Sequence, residues 1–139
     1  MRLFLDTSVL LAASASGKGA SREVFQRAPI NGWTLVATPY VVDEVLRNLP
    51  DLPAAATIHW TRLRPALLLM DDVVTLDRPA VFEPAKDRPI LFGALAWADV
   101  LLTLDRGDFG ALMDKPFYGL LILKPGAFLE RQRLARQLR

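Results

Sequence analysis

The chain of 139 residues contains no cysteine and a single histidine, His59. The absence of cysteine excludes disulfide bonds and thiolate metal sites, and it is compatible with a reducing cytoplasm. A ribonuclease that works through a pair of histidines is excluded as well, because only one imidazole is present. A metal site in this chain would therefore depend on oxygen ligands.

Long apolar segments are also missing. No run approaches the roughly 18 unbroken apolar residues that a membrane span requires. Residues 1–20 have some features of a signal peptide, namely Arg2, an apolar run and several small residues. However, Asp6 interrupts the apolar run, and an unpaired charge there is costly. We therefore expect a cytoplasmic protein without membrane contact.

Composition and charge suggest one folded domain. The hydrophobic share is 52% and the mean hydropathy is +0.24, which fits a sheet buried on both faces. The length suggests one domain spanning residues 1–139. The net charge is only +2, but Arg131, Arg133, Arg136 and Arg139 cluster near the end of the chain. This cluster is either a solvated helix face or a contact for nucleic acid or another protein. The apolar surplus would fit a homodimer or a surface covered by a partner.

Apolar runs alternate with amphipathic segments along the whole chain. We predict strands at residues 2–5, 33–37, 73–76, 100–102 and 119–123. We predict helices at residues 9–13, 22–27, 38–49, 54–70, 87–98 and 126–139, with a proline-rich loop at 78–84. This alternation predicts an α/β fold, in three α/β/α layers, with a mostly parallel sheet of about five strands.

Acidic residues fall next to several of these elements. Asp6 ends the first strand, Glu44 lies in the helix after the second, and Asp87 begins the helix that leads to the fourth. Asp105 and Asp108 follow the fourth strand. Because parallel strands end at the same edge of a sheet, Asp6 and Asp105 should share that edge, with Glu44 nearby. Asp87 joins them if the preceding loop is short.

Clustered carboxylates repel one another unless they are protonated or neutralised by a cation. With oxygen ligands, the cation should be Mg²⁺ or Mn²⁺. A hard divalent ion of this kind suits phosphoryl chemistry, with water attacking phosphorus to leave a 5′-phosphate and a 3′-hydroxyl. Each acid also has an ordinary explanation as a helix cap, a helix acid or a turn residue. The functional hypothesis depends on their convergence.

Three segments, MRLFLDTSVLLAA, TPYVVDEVL and KDRPILFGALAWADVLLTLDRGDF, resemble PIN-domain proteins, and the similarity extends through LKPGAFLE. The likeness is strongest to VapC-like toxins of prokaryotic toxin–antitoxin pairs. It implies a Mg²⁺- or Mn²⁺-dependent ribonuclease that acts on RNA and has a cognate antitoxin. The catalytic acids that it implies are Asp6, Glu44, Asp87 and Asp105, and the metal ligands are Asp6, Asp87, Asp105 and Asp108. Supporting hydroxyls are those of Thr7, Ser8 and Thr103.

Three alternatives remain open at this point. A receiver-like phosphorylation module would use Asp6, Asp77, Thr103 and Lys124, which fall near strand ends. A scaffold that binds RNA or an antitoxin without catalysis would need none of the acids. A PIN nuclease of RNA processing would keep the acids and lack the toxin role.

Overall fold

The computed structural model describes residues 1–74 and 87–139 of the chain. Within these ranges, five strands alternate with helices. The strands are β1 (Arg2–Leu5), β2 (Thr34–Ala37), β3 (Leu67–Leu69), β4 (Val100–Leu102) and β5 (Leu121–Leu123). The helices are α1 (Thr7–Ala15), α2 (Ala20–Asn31), α3 (Pro39–Asn48), α4 (Ala55–Leu63), α5 (Arg88–Trp97), α6 (Arg106–Phe109) and α7 (Pro125–Leu134).

The strands form one sheet in the order β3-β2-β1-β4-β5, and every pair is parallel. The central strand β1 pairs with β2 on one side and β4 on the other. Its residues Leu3, Phe4 and Leu5 are fully buried, because helices cover both faces of the sheet. The predicted α/β fold with a parallel sheet of five strands is confirmed.

The two faces of the sheet carry different helices. Right-handed connections place the helices from β1 through β3 on one face and α5 on the other, because the chain reverses direction across the sheet before β4. Helix α5 packs against β1 and β4, and α7 packs against α2. At Gly93, a Cβ atom would lie 3.1 Å from Cε2 of Phe4, so the glycine allows α5 to approach the sheet closely. Among the described residues, no helix is long and apolar enough to cross a bilayer.

The position of the third strand differs from the sequence prediction. We expected a helix at residues 54–70 and a strand at 73–76, but α4 ends at Leu63 and β3 occupies Leu67–Leu69. Pro65 lies in a 3₁₀ turn, Arg64–Ala66, that separates the two elements. Three leucines in a row fit a helix stripe and a buried strand equally well, so periodicity could not distinguish them. Residues 75–76 and the predicted loop at 78–84 lie outside the described residues.

The strand order also decides against the receiver-like alternative. A receiver module has the order 2-1-3-4-5, whereas here β1 lies between β2 and β4. Asp77, the residue that the alternative would phosphorylate, lies outside the described residues.

Candidate metal centre

The carboxyl ends of β1 and β4 lie side by side in the middle of the sheet. The chain leaves β1 toward β2 and leaves β4 toward β5, so the connections diverge between these two strands. Open α/β sheets bind ligands in the crevice that such a divergence creates. Asp6 follows β1, and its backbone N–H donates to the carbonyl of Leu102 over 3.0 Å, which extends the ladder by one residue. The predicted edge is therefore where Asp6 and Thr103 meet.

Two hydroxyl groups hold the Asp6 side chain. The hydroxyls of Thr103 and Ser8 both donate to Oδ2 of Asp6, over 2.6 and 2.9 Å. Each hydroxyl also accepts a backbone N–H from the turn that follows β4. The Thr103 hydroxyl accepts from Asp105 over 3.0 Å, and the Ser8 hydroxyl accepts from Leu104 over 3.1 Å. Because those amides occupy the acceptor side of each hydroxyl, both O–H bonds are directed at the carboxylate. The predicted supporting residues Ser8 and Thr103 therefore connect Asp6 to the β4–α6 turn.

Burial makes the charge of Asp6 costly. Only 4% of the residue is exposed, and this desolvation raises the pKa of Asp6 above its usual value. The hydrogen bonds from Thr103 and Ser8, and one at the backbone of Thr7, lower the pKa, while the nearby charge of Asp105 raises it again. The net direction is upward, because desolvation outweighs the hydrogen bonds that favour the charged form.

A second set of carboxylates lies at the start of two helices. Asp87 precedes α5, and Asp105 precedes α6, where its Oδ1 accepts the backbone N–H of Asp108 over 2.9 Å. Asp87, Asp105 and Asp108 each offer an oxygen atom, and these atoms all lie within 4.8 Å of one another. We call these three residues the acidic group. Asp87 is buried, and the other two are half-buried.

The other two predicted acids, Asp6 and Glu44, do not belong to the acidic group. Among the described residues, the set of oxygens within 4.8 Å contains neither Asp6 nor Glu44. Asp6 is connected to the group through Thr103 and by its electrostatic interaction with Asp105. Glu44, on α3, accepts a hydrogen bond from the Thr7 hydroxyl over 3.1 Å. Asp87, Asp105 and Asp108 are therefore brought together directly, and Asp6 is connected to Asp105 through the Thr103 hydroxyl. The donor to Glu44, Thr7, is the residue after Asp6 in the chain, and this hydrogen bond makes no connection to the acidic group.

The acidic group has the chemistry of a site for a hard divalent cation. It offers only carboxylate oxygens, the ligands that Mg²⁺ and Mn²⁺ favour. Oxygens on opposite sides of an Mg²⁺ ion lie about 4.2 Å apart, so the observed 4.8 Å spread requires little adjustment. Like charges at this separation repel one another, and a cation removes that cost. The three acids can therefore hold a metal ion, whose identity their geometry leaves open.

Two aspartates that follow β3 make hydrogen bonds to the start of α3 and the end of α5. Asp72 accepts the backbone N–H of Tyr40, at 3.3 Å from Oδ1 and 3.2 Å from Oδ2, and so caps α3. The carbonyl of Asp71 accepts the indole N–H of Trp97 over 2.8 Å. Thr38, which precedes Pro39 at the start of α3, occupies the cap position without a side-chain hydrogen bond. No local signal predicts this exchange, because Asp72 is distant from α3 in sequence.

Arg139, the last of the arginines that cluster near the end of the chain, lies at the end of the sheet opposite Asp6. The backbone N–H of Arg139 donates to Oδ1 of Asn31 over 2.8 Å, and Asn31 is the last residue of α2, just before β2 begins. Arg27 also donates to the carbonyl of Arg139. These contacts lie at the amino ends of the strands, which we call the amino edge of the sheet. Asp6 and Asp105 lie at the carboxyl ends of the strands, which we call the carboxyl edge. The two alternatives for the arginines, a solvated face or a binding surface, both remain predictions.

No family model, no curated protein and no solved structure matches this chain. The functional interpretation of the carboxyl edge therefore depends on the geometry described above and on the sequence motifs.

Proposed function

We propose that the protein is a metal-dependent endoribonuclease that hydrolyses phosphodiester bonds of RNA. The observation that supports this proposal most is the convergence of the oxygens of Asp87, Asp105 and Asp108 within 4.8 Å at the point where the strand connections diverge. The resemblance to PIN-domain proteins specifies RNA as the substrate, and it adds Asp6 and Glu44 as catalytic acids.

Each residue has a distinct part in the proposed reaction. Asp87, Asp105 and Asp108 would hold Mg²⁺ or Mn²⁺. When bound, such an ion polarises the scissile phosphate and lowers the pKa of water. Asp6, oriented by two hydroxyl groups, contributes a further carboxylate oxygen beside them. Glu44, on α3, accepts a hydrogen bond from Thr7, and in the proposed reaction it would accept a proton from the attacking water.

The biological setting follows from the same resemblance. We propose that the enzyme acts in the cytoplasm as the toxin of a type II toxin–antitoxin pair, bound by a cognate antitoxin and able to form a homodimer. Growth arrest on expression, relieved by the product of an adjacent reading frame, would support the toxin role. RNA cleavage without growth arrest would favour a PIN nuclease of RNA processing.

The proposal is tested by comparing Asp105→Asn with Asp99→Asn. Asparagine keeps an oxygen that can cap α6, so the fold around Asp105 should persist. Asp99 is a matched control because it is an exposed aspartate at the amino edge, where Oδ2 accepts the N–H of Arg2 over 2.8 Å. We expect Asp105→Asn to reduce Mn²⁺-dependent RNA cleavage by more than about 100-fold, beyond the effect typical of residues that only support a ligand.

Both variants and the wild type are examined by circular dichroism, by Mn²⁺ titration and with a labelled RNA. Asp99→Asn should match the wild type in all three measurements. Mn²⁺ binding without cleavage in the wild type would favour the non-catalytic scaffold. Equal cleavage by the wild type and Asp105→Asn would contradict the proposal, since the activity would then come from another site or a contaminant.

A further inference from the structure

The hydroxyl of Thr38 is buried without a hydrogen bond. The residue is 0% exposed, and among the described residues its Oγ1 has no partner. A buried hydroxyl that makes no hydrogen bond destabilises the folded state, because it has lost its hydrogen bonds to water without replacing them. Such groups are rare in folded proteins and usually indicate a bound water, an ion or a functional role. The Thr38 hydroxyl therefore calls for an explanation.

Helix capping, the usual role of a threonine at this position, does not provide that explanation. Thr38 precedes Pro39, and its backbone has the extended conformation of a cap residue, with φ of −123° and ψ of 163°. Its side chain nevertheless makes no capping hydrogen bond, because Asp72 accepts the N–H of Tyr40 instead. The external cap from Asp72 leaves the Thr38 hydroxyl available for another partner.

The position of Thr38 in the sheet indicates what that partner is. Phe4 pairs with Val36 in the parallel register, and the same register continued for two more residues would bring Asp6 beside Thr38. Neighbouring strands lie about 4.8 Å apart, and paired residues present their side chains to the same face. A Cβ atom on Gly93 would lie 3.1 Å from Cε2 of Phe4 and 3.3 Å from Cγ2 of Thr38, which confirms that Phe4 and Thr38 share a face.

The two residues beside Asp6 in this row are both threonines. Thr103, on the β4 side, donates its hydroxyl hydrogen bond to Asp6 over 2.6 Å. Thr38, on the β2 side, packs its methyl group toward α5, so its hydroxyl is directed elsewhere within the buried edge. One hydroxyl of the pair therefore has a partner among the described residues, and the other has none.

We propose that Thr38 is a positioning residue of the metal centre, and that its hydroxyl hydrogen-bonds a water molecule that enters with the cation. The inference rests on the proposed function in requiring a divalent cation at the carboxyl edge. It adds a residue that is not one of the acids or supporting hydroxyls that the resemblance implies and that does not belong to the acidic group. The Thr38 hydroxyl without a hydrogen bond then destabilises the metal-free protein, and metal binding removes this destabilisation.

Thr38→Val and Thr38→Ser test this proposal, with Mn²⁺ alone as the probe. Valine keeps the methyl contact with α5 and removes the hydroxyl, whereas serine keeps the hydroxyl. In EDTA, Thr38→Val should raise the Tm by about 3–5 °C, because an unsatisfied polar group is lost. In a calorimetric titration the same variant should bind Mn²⁺ about tenfold more weakly, and Thr38→Ser should bind as the wild type does.

Thr61→Val is the matched control, since the Thr61 hydroxyl donates a solvent-exposed hydrogen bond to the carbonyl of Thr57 within α4. It should leave Mn²⁺ binding unchanged. Wild-type affinity in Thr38→Val would overturn the inference and leave the proposed function standing. A lower Tm of Thr38→Val in EDTA would also overturn it, by showing an ordinary structural hydroxyl. If Thr38→Val does not fold, Thr38→Ala takes its place in the titration. Absence of Mn²⁺ binding in the wild type would overturn both proposals.

Discussion

The two edges of the sheet carry their polar residues in opposite ways. At the amino edge, polar contacts are exposed, such as that between Arg2 and Asp99. At the carboxyl edge, Asp6 is 4% exposed, and Thr38 and Thr103 are 0% exposed. Exposed ion pairs and hydrogen bonds contribute little to stability, whereas burying polar groups is costly. The difference fits the proposed metal centre at the carboxyl edge, where burial of polar groups would lower the stability of the metal-free protein.

The strongest test of this comparison is Thr103→Val. The Thr103 hydroxyl donates to Asp6 and accepts from the backbone N–H of Asp105, so valine leaves both groups with one hydrogen bond fewer. Because a hydrogen bond to a carboxylate is among the stronger ones, we expect the free energy of unfolding to fall by about 2–3 kcal/mol. Urea unfolding in EDTA measures this change.

The same variant distinguishes the two threonines of the carboxyl edge. Thr103→Val should destabilise the metal-free protein, while Thr38→Val should stabilise it, since only the Thr103 hydroxyl is used within the protein. If the unfolding free energy changes with the same sign in both variants, the Thr38 and Thr103 hydroxyls do not differ in whether they are hydrogen-bonded within the protein.

The sequence was enough to predict which strand ends meet at the carboxyl edge, but not which side chains cap the neighbouring helix. Asp6 and Thr103 each end a strongly apolar strand, so parallel pairing was enough to bring them together. The proximity of Asp105 and Asp108 was also predictable, because they share one turn. Asp87 was predicted to join them only if the loop before it was short. The exchange of caps between Thr38 and Asp72 was not predictable, since it depends on how the chain returns after β3.

The position of β3 shows the same limit. Leu67–Leu69 forms a strand because it pairs with β2, and that long-range pairing leaves no periodic signal in three residues. Two of the three leucines are also exposed, so the burial pattern of a central strand is absent. Local sequence patterns were therefore sufficient to predict the central strands, whereas the position of the edge strand β3 depends on its tertiary pairing with β2.

Gly93→Ala tests whether the carboxyl edge depends on the close approach of α5. The added Cβ would lie 3.1 Å from Cε2 of Phe4 and 3.3 Å from Cγ2 of Thr38, which is closer than ordinary packing. Because overpacking of a core displaces the packed elements, we expect a loss of about 2 kcal/mol of unfolding free energy. The displacement should also weaken Mn²⁺ binding, since Asp87 precedes α5.

Gly110→Ala is the control for this change, because no atom lies within 4 Å of the added Cβ and the backbone has a helical φ of −54°. It should be neutral or slightly stabilising. Equal losses in the two variants would show that the effect at Gly93 is unrelated to packing against the sheet.

The pH dependence of stability tests the burial of Asp6. Desolvation raises its pKa in the folded protein above the usual value of 3.8. The folded state then holds a proton that the unfolded chain has already released, so Asp6 contributes stability that is fully present below about pH 3.8 and lost as the pH rises through the folded pKa. In EDTA, the unfolding free energy of the wild type minus that of Asp6→Asn should fall as the pH rises. A difference that rises with pH would mean that the hydrogen bonds outweigh desolvation.

The smallest effect is expected at the amino edge, for Arg27→Gln. Nε of Arg27 donates to Oε1 of Glu23 over 2.8 Å, with the two side chains 35% and 32% exposed, and Nη1 donates to the carbonyl of Arg139 over 2.7 Å. Partly exposed pairs of this kind are screened by solvent, so the loss of unfolding free energy should stay below about 1 kcal/mol. It should shrink further in 1 M NaCl, where the screening length is only about 3 Å. If urea unfolding instead gave a loss as large as that of Thr103→Val, the amino edge would be as important to stability as the carboxyl edge. The contrast between an exposed edge and a buried binding edge would then fail.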